Sequence, residues 1–485
     1  MRGADAGTAV VLDTKTRTGP RVVIEDPNGF VIQRFIESPP WLVPSPRRSI
    51  IELGPVACQI RFGGERNLAL DSGDTAWVIA ATALVMIMTP ALGFFYGGLV
   101  RRKNLVSTIA QCFAIFALVS LVWALWGYTL ALGPSYNGFI GSLSNFGLNN
   151  VGEAPNPAYS STIPELLYFA FQLKFAAITP ALIIGAFAER IRFKALLIYI
   201  VLWTTFIYVP IAHWNWGIGG FLKSLGVIDF AGGLVVHTAA GVSAVAAALV
   251  IGRREGVDRL DSRPNNIPYV ILGASVLWFG WFGFNAGSAL AANALAVNAL
   301  VVTNLAAAGA AVSWMLTDWV RKGKPSAVGM AVGAVCGLVA ITPASGYVGP
   351  MPSIIIGLVA GVLCNYVGSW RARTTLDDSL DVFACHGAGG IWGTLATGLF
   401  ASKLINPFGP NGLFFGNPGQ LGIQALACVI VAAFAFAGSY VLLRIINIFT
   451  RVRVSPAEEH AGLDTSEFGE EAYVAGADEQ SPTAE

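Results

Sequence analysis

The sequence predicts an all-α membrane protein with eleven spanning helices, entering from outside and ending inside the cell. Three observations predict it. The 485 residues are 54% hydrophobic and 12% charged, with mean hydropathy +0.62, whereas soluble domains are about 25% charged. Apolar runs of span length recur from residue 76 onward, and one bilayer crossing takes about 20 such residues. Basic residues gather in every second connection, which marks cytoplasmic loops.

The runs read, in order, 76–98, 108–132, 164–188, 195–217, 231–251, 266–288, 298–319, 328–342, 352–370, 383–400 and 420–448; the eighth is short. After the first come Arg101, Arg102 and Lys103. After the third come Arg190, Arg192 and Lys194. Arg253, Arg254, Arg259 and Arg263 follow the fifth, Arg321, Lys322 and Lys324 the seventh, and Arg371 and Arg373 the ninth. The opposite connections hold Lys223 and Lys403. Fifteen basic residues against two put the basic loops inside, in a multi-pass protein of the cell (inner) membrane.

The ends fall outside the bundle, which spans 71–453. Residues 1–70 mix charges and prolines without a span-length apolar run or the order of a signal peptide. They read as a disordered extension or a start codon placed too early, with a functional outer domain as the rival reading. Residues 454–485 carry nine acidic and no Lys or Arg residues and read as an acidic cytoplasmic tail.

Runs 1–5 and 6–10 make two sets of five. An odd number reverses direction, so related halves would form an inverted 5+5 repeat with a pathway at their interface. Run 5 follows Asp229 and contains His237; run 10 follows Asp381 and contains His386. Ionisable groups at membrane depth are costly and face a bundle interior or a pathway. A lone buried histidine reads as a satisfied core residue, but two at matching places favour a pathway. The small residues around them, G-G at 232–233, T-A-A-G-V-S at 238–243 and H-G-A-G-G at 386–390, let helices approach closely. A narrow lumen for a very small solute follows.

Other classes are excluded or disfavoured. A net charge of +1 gives no global case for nucleic-acid binding. The six cysteines contain no C-x-x-C pair, and five lie in apolar runs. They read as buried small hydrophobes, with no metal site and no cofactor. Cys385 adjoins His386, but helical neighbours point about 100° apart. No nucleophile or metal set suggests an intramembrane enzyme.

The aromatics cluster. Phe171 and Phe175 lie in run 3, Trp214 and Trp216 near the outer end of run 4, and Trp281, Phe282 and Phe284 near that of run 6. An interfacial aromatic belt is one reading; a cation–π cage for a small cation is the other. Lys174, inside run 3, reads as a lysine turned off the pathway, snorkelling or packed at a subunit contact.

Six long motifs in order then resemble the ammonium transporter family (Amt/Mep, related to Rh proteins) from about 74 to 473. They are D-T-A-W at 74–77, T-P-A-L-G-F-F-Y-G-G-L-V-R-R-K-N at 89–104 and F-A-A-I-T-P-A-L-I-I-G-A-F-A-E-R at 175–190. D-F-A-G-G-L-V-V-H at 229–237, G-W-F-G-F-N-A-G-S at 280–288 and D-V-F-A-C-H-G at 381–387 complete the set. The resemblance implies a homotrimer of eleven-helix subunits with one pore each. It makes Trp216 and Ser288 the lining of an outer ammonium site, Phe175 its aromatic wall and Phe171 its vestibule border. It makes Phe175 and Phe284 a stacked gate, Asp229 the buried aspartate near the site, and His237 and His386 the twin lumen histidines.

G-L-D-T-S-E-F-G-E-E-A-Y at 462–473 resembles the family's tail motif, with Phe468 in place of its histidine. A PII-type regulatory protein is the cytoplasmic partner the family implies. The activity implied is uptake of ammonium: deprotonation near Asp229 and the gate, passage of ammonia past the histidines, and reprotonation inside, with net charge transfer. A sensor and a neutral-gas channel of the Rh kind are the alternatives.

Overall fold

The computed structural model describes residues 70–256 and 263–473, together with the backbone of five short strands before residue 60. The chain divides into two compact units, 1–67 and 68–485. In the first, Ala9–Asp13, Arg21–Glu25 and Val31–Phe35 pair antiparallel in that order, and Ile50–Leu53 pairs with Val56–Gln59. The reading of 1–70 as a disordered extension otherwise lies outside the described residues, as does the tail beyond 473.

In the second unit, helical segments stand at all eleven positions. Span 1 is Ser72–Leu99 and span 2 is Leu105–Val122, continued through Trp123–Gly127 to Tyr128–Leu132. Span 3 is Glu165–Phe187, and span 4 runs from Phe193–Trp203 through Thr204–Tyr208 to Val209–Trp216. Span 5 joins Gly233–Thr238 to Ala239–Ile251, and spans 6 to 9 are Ile267–Gly287, Ala294–Lys322, Ala327–Ile341 and Pro350–Arg371. Span 10 joins Phe383–Ala388 to Gly389–Phe400, and span 11 is Pro418–Phe449. Among the described residues nine helices are long and apolar enough to cross a membrane, and Ala327–Ile341 is a shorter apolar one.

Spans 3 and 5 are the innermost: 78% of their most apolar stretch is buried, against 33% for span 11. They carry Phe171, Phe175 and His237. Small residues set how closely the helices meet. A Cβ on Gly241 of span 5 would overlap the Gly387 nitrogen of span 10, so these two backbones touch at the level of the histidines. Gly280 and Gly283 do the same for span 6 against Met88, Leu84 and Ala81 of span 1.

The end bearing the basic loops is tied by ion pairs. Arg190, fully buried, donates to the carbonyls of Ala186 (3.1 Å), Gly252 (2.9 Å) and Asp377 (2.6 Å). Arg254 forks onto Asp377 at 3.0 and 2.9 Å and reaches Glu189 at 3.1 Å, and Arg101 meets Glu189 at 2.8 Å. Burial raises the Asp377 carboxyl, but the Arg254 hydrogen bonds and the Arg190 and Arg254 charges outweigh it and hold it at about 2. Burial lowers the Arg190 guanidinium to about 10.

The described part of the tail, through Tyr473, lies on this same end. Asp464 accepts from the backbone N–H of Val106 (3.0 Å) and Ser107 (2.7 Å) at the start of span 2. Glu467 accepts from Phe193 N–H (3.0 Å) at the start of span 4. Both carboxylates thus satisfy helix N-termini whose N–H groups have no intrahelical partner. Phe468, in place of the family histidine, packs its ring 4.9 Å from that of Phe193.

Candidate functional site

The opposite end opens into a cavity of about 530 Å³. Phe171, Phe175, Trp216, Asp229 and Ser288 all line it. Span 3 supplies both phenylalanines one turn apart, with ring centroids at 5.0 Å. The Trp216 ring stands edge-on to Phe175 at 5.9 Å and 88°, and its indole N–H donates to the Asp229 carbonyl at 3.0 Å. The Ser288 hydroxyl donates to the Phe284 carbonyl at 2.8 Å, which leaves its oxygen lone pairs free to accept. Aromatic faces and a hydroxyl acceptor are what a small N–H-bearing cation binds.

Phe175 and Phe284 close the floor. Their rings are 4.2 Å apart and tilted by 34°, with 1% and 0% exposure. Below them a small cavity, lined by Phe284, Trp281, His237 and His386 among aliphatic side chains, offers about 10 Å³ to a water-sized sphere, close to the room for one water. His237 and His386 face each other through their Nδ1 atoms at 3.3 Å. His237 Nε2 is buried without a protein partner.

The turns that bear the histidines are matched. Asp229 accepts from the N–H of Gly232, Gly233, Leu234 and Val235 at 2.7–3.3 Å. Asp378 accepts from Val382 (3.1 Å) and Phe383 (2.8 Å). Each carboxylate sits eight residues before its histidine, and each caps a π-helical turn, Gly233–Thr238 or Phe383–Ala388. Such turns are rare and recur at functional sites. Gly232 (φ 117°) and Asp381 (φ 56°), each five residues before a histidine, both take the left-handed conformation. Asp381 therefore stands in the place of Gly232 and not of Asp229; its carboxylate pairs with Arg371 at 2.7 Å. Burial and the Asp381 charge raise the Asp378 carboxyl to about 6 against its backbone hydrogen bonds.

Several expected residues lie elsewhere. Trp281 is no interfacial belt residue: it stacks on His237 at 5.4 Å and 21°, and its N–H donates to Thr342 Oγ1 at 2.8 Å. Trp214 packs on Phe221 and Phe434 outside the cavity lining. The Lys174 amine stands 5.1 Å from the Phe116 ring centroid on span 2, away from the cavity. His213 is held by the Ala131 carbonyl and Ser135 Oγ, each at 2.8 Å. Asp378 was legible in the repeated Asp-x7-His spacing, which is easily overlooked beside the nearer Asp381. Among the described residues no group of three His, Cys, Asp or Glu side chains could hold a metal ion.

An outer cavity floored by stacked rings above a water-sized space, inside an apolar helical bundle, defines a membrane protein suited to a very small solute. Comparison with known proteins says which. The model of the Ammonium Transporter Family matches residues 76–473, so the chain belongs to the ammonium transporter family. An ammonium transporter of Bacillus subtilis is 46% identical over 405 residues, 83% of this chain and 99% of its own. The crystal structure of Candida albicans Mep2 superposes with a TM-score of 0.76 at 37% identity, covering 80% of this chain and 88% of its own. A solved sensor Amt protein also matches, with a TM-score of 0.76 at 32% identity over 82% and 98% of the two chains.

Proposed function

We propose that this protein takes up ammonium across the cell (inner) membrane as a homotrimer of eleven-span subunits, each with its own pore. The basic end and the tail face the cytoplasm. Ammonium is recruited by Trp216, Ser288, Phe171 and Phe175, with Asp229 fixing the floor of the site. It loses a proton above the Phe175–Phe284 gate. Neutral ammonia then passes His237 and His386 and is reprotonated inside, with net transfer of charge.

The observation that carries this reading is the water-sized cavity beneath the stacked Phe175 and Phe284 rings. A cation would shed its hydration there against phenyl faces and one imidazole pair, which is costly; ammonia loses far less. Potassium matches ammonium in charge and has no proton to give up, so deprotonation discriminates where size does not. In the Nδ1–Nδ1 contact one imidazole donates and the other accepts. A proton can therefore be relayed across the pair.

The sensor reading draws on the match to a sensor Amt protein and on the tail lying across the starts of spans 2 and 4. A PII-type protein docking at the cytoplasmic mouth would act on the same tail. The deciding experiment is an ammonium jump on purified protein adsorbed to a solid-supported membrane. Current that saturates with ammonium supports the transporter. Silence with ammonium binding supports the sensor, and ammonia flux without current supports a neutral-gas channel.

A further inference from the structure

The residues lining the outer cavity carry two formal charges among them, Asp229 and Lys223. The Asp229 carboxylate is taken up by four backbone N–H groups at the head of span 5. Lys223 is different. It lies on the short helix Phe221–Ser224, its side chain is exposed to the cavity, and its Nζ donates to the Trp216 carbonyl at 3.1 Å. An ammonium group is thus fixed one hydrogen bond from the residue whose ring walls the cage.

We propose that Lys223 sets the affinity of the recruitment site: its fixed positive charge repels the incoming cation and holds the outer site at low affinity. The inference rests on the recruitment reading of the cage. Two unit charges sharing one solvent-open cavity, at an effective dielectric between water and protein, alter binding by about two- to fivefold. The effect is screened by salt, with a Debye length of about 30 Å at 0.01 M and about 3 Å at 1 M. It acts on the charged substrate at the cavity and not on ammonia in the lumen, so it appears in half-saturation and not in the saturating rate.

The rival role is structural, because a lysine on the last carbonyls of span 4 also caps that helix. Three variants separate the two. Lys223→Arg keeps charge and donor, Lys223→Gln keeps a donor without charge, and Lys223→Met keeps neither. Ammonium-jump currents are measured on a solid-supported membrane at about 0.01 M and about 1 M background sodium chloride, with Trp216→Leu as the control for the cage. At low salt Gln and Met should both lower the half-saturating ammonium concentration by about two- to fivefold. Arg should match the wild type, and all four should converge at high salt. An effect confined to Met, or one that salt leaves unchanged, overturns the proposal and makes Lys223 a helix cap. Unchanged Lys223 variants beside a weakened Trp216→Leu also overturn it while the cage stands; if Trp216→Leu is unchanged as well, the recruitment reading falls with it.

Discussion

His237 and His386 meet Nδ1 to Nδ1 at 3.3 Å, with ring planes 19° apart. The contact admits one shared proton and fixes the two imidazoles in opposite tautomers. The pair comes from two helices 149 positions apart, brought together because Gly241 and Gly387 let their backbones touch.

Replacing both histidines by leucine should abolish the ammonium-evoked current while leaving the assembly intact, since packing there rests on small residues. Replacing either one by Asp should wet the passage and add a potassium current. Currents for both cations on the wild type and these three variants check the point; wild-type current in the double variant would make the pair structural.

Asp229→Ala strips four backbone N–H groups of their acceptor. Ammonium current should vanish while the protein elutes as the wild-type oligomer. Asp229→Glu should retain part of it, because the charge stays and the reach changes. Asp378→Ala removes two such bonds and should weaken current less than Asp229→Ala does. Equal current in Asp229→Ala and wild type would remove the aspartate from the mechanism.

Removing 454–485 deletes no span, so folding should survive. Asp464→Ala should cost about 1 kcal/mol, the scale of a lost N-cap, by exposing the start of span 2. Thermal melts of both variants test this. If the tail regulates transport, the truncated protein should also lose current or inhibition by a PII-type protein. Unchanged current and unchanged inhibition would leave the tail a structural strap.

The Asp377 carboxyl is held near 2 in the fold and near 3.9 when unfolded. The sign is that of a depressed acid: the stabilisation is present above about pH 4 and is lost as pH falls toward 2. Its size is about 2–3 kcal/mol. Asp377→Asn should therefore melt below the wild type at neutral pH, with the gap narrowing as pH falls from about 5 to about 2. A gap independent of pH would mean that packing and not charge is lost.

Much was legible in the sequence because membrane helices are written locally. Length, apolarity and basic loops depend on composition along one stretch of chain, and helical segments stand at every position read from them. Histidines inside two apolar runs were visible for the same reason. Proximity to His386 misassigned the partner of Asp229: Asp381 is nearer, but Asp378 shares the eight-residue spacing, and which carboxylate caps a turn depends on where the chain takes a left-handed step. That step falls at Asp381 itself and leaves the cap to Asp378.

Contacts between distant helices belonged to the tertiary structure alone. A hydropathy pattern says that Trp281 lies near one end of an apolar run; only the packing of span 6 against span 5 puts its ring on His237. The acidic tail reads as a solvated end by composition. Its carboxylates instead find unpaired N–H groups at two helix starts, a complement that exists only once spans 2 and 4 begin side by side. The sequence by itself determined where the apolar helices fall and in what order, because apolarity over a span length is a property of each segment. The stacked Phe175 and Phe284 rings, the touching imidazoles and the lysine on the cavity lining were decided by the fold, because each is a distance between residues that the chain's order does not encode.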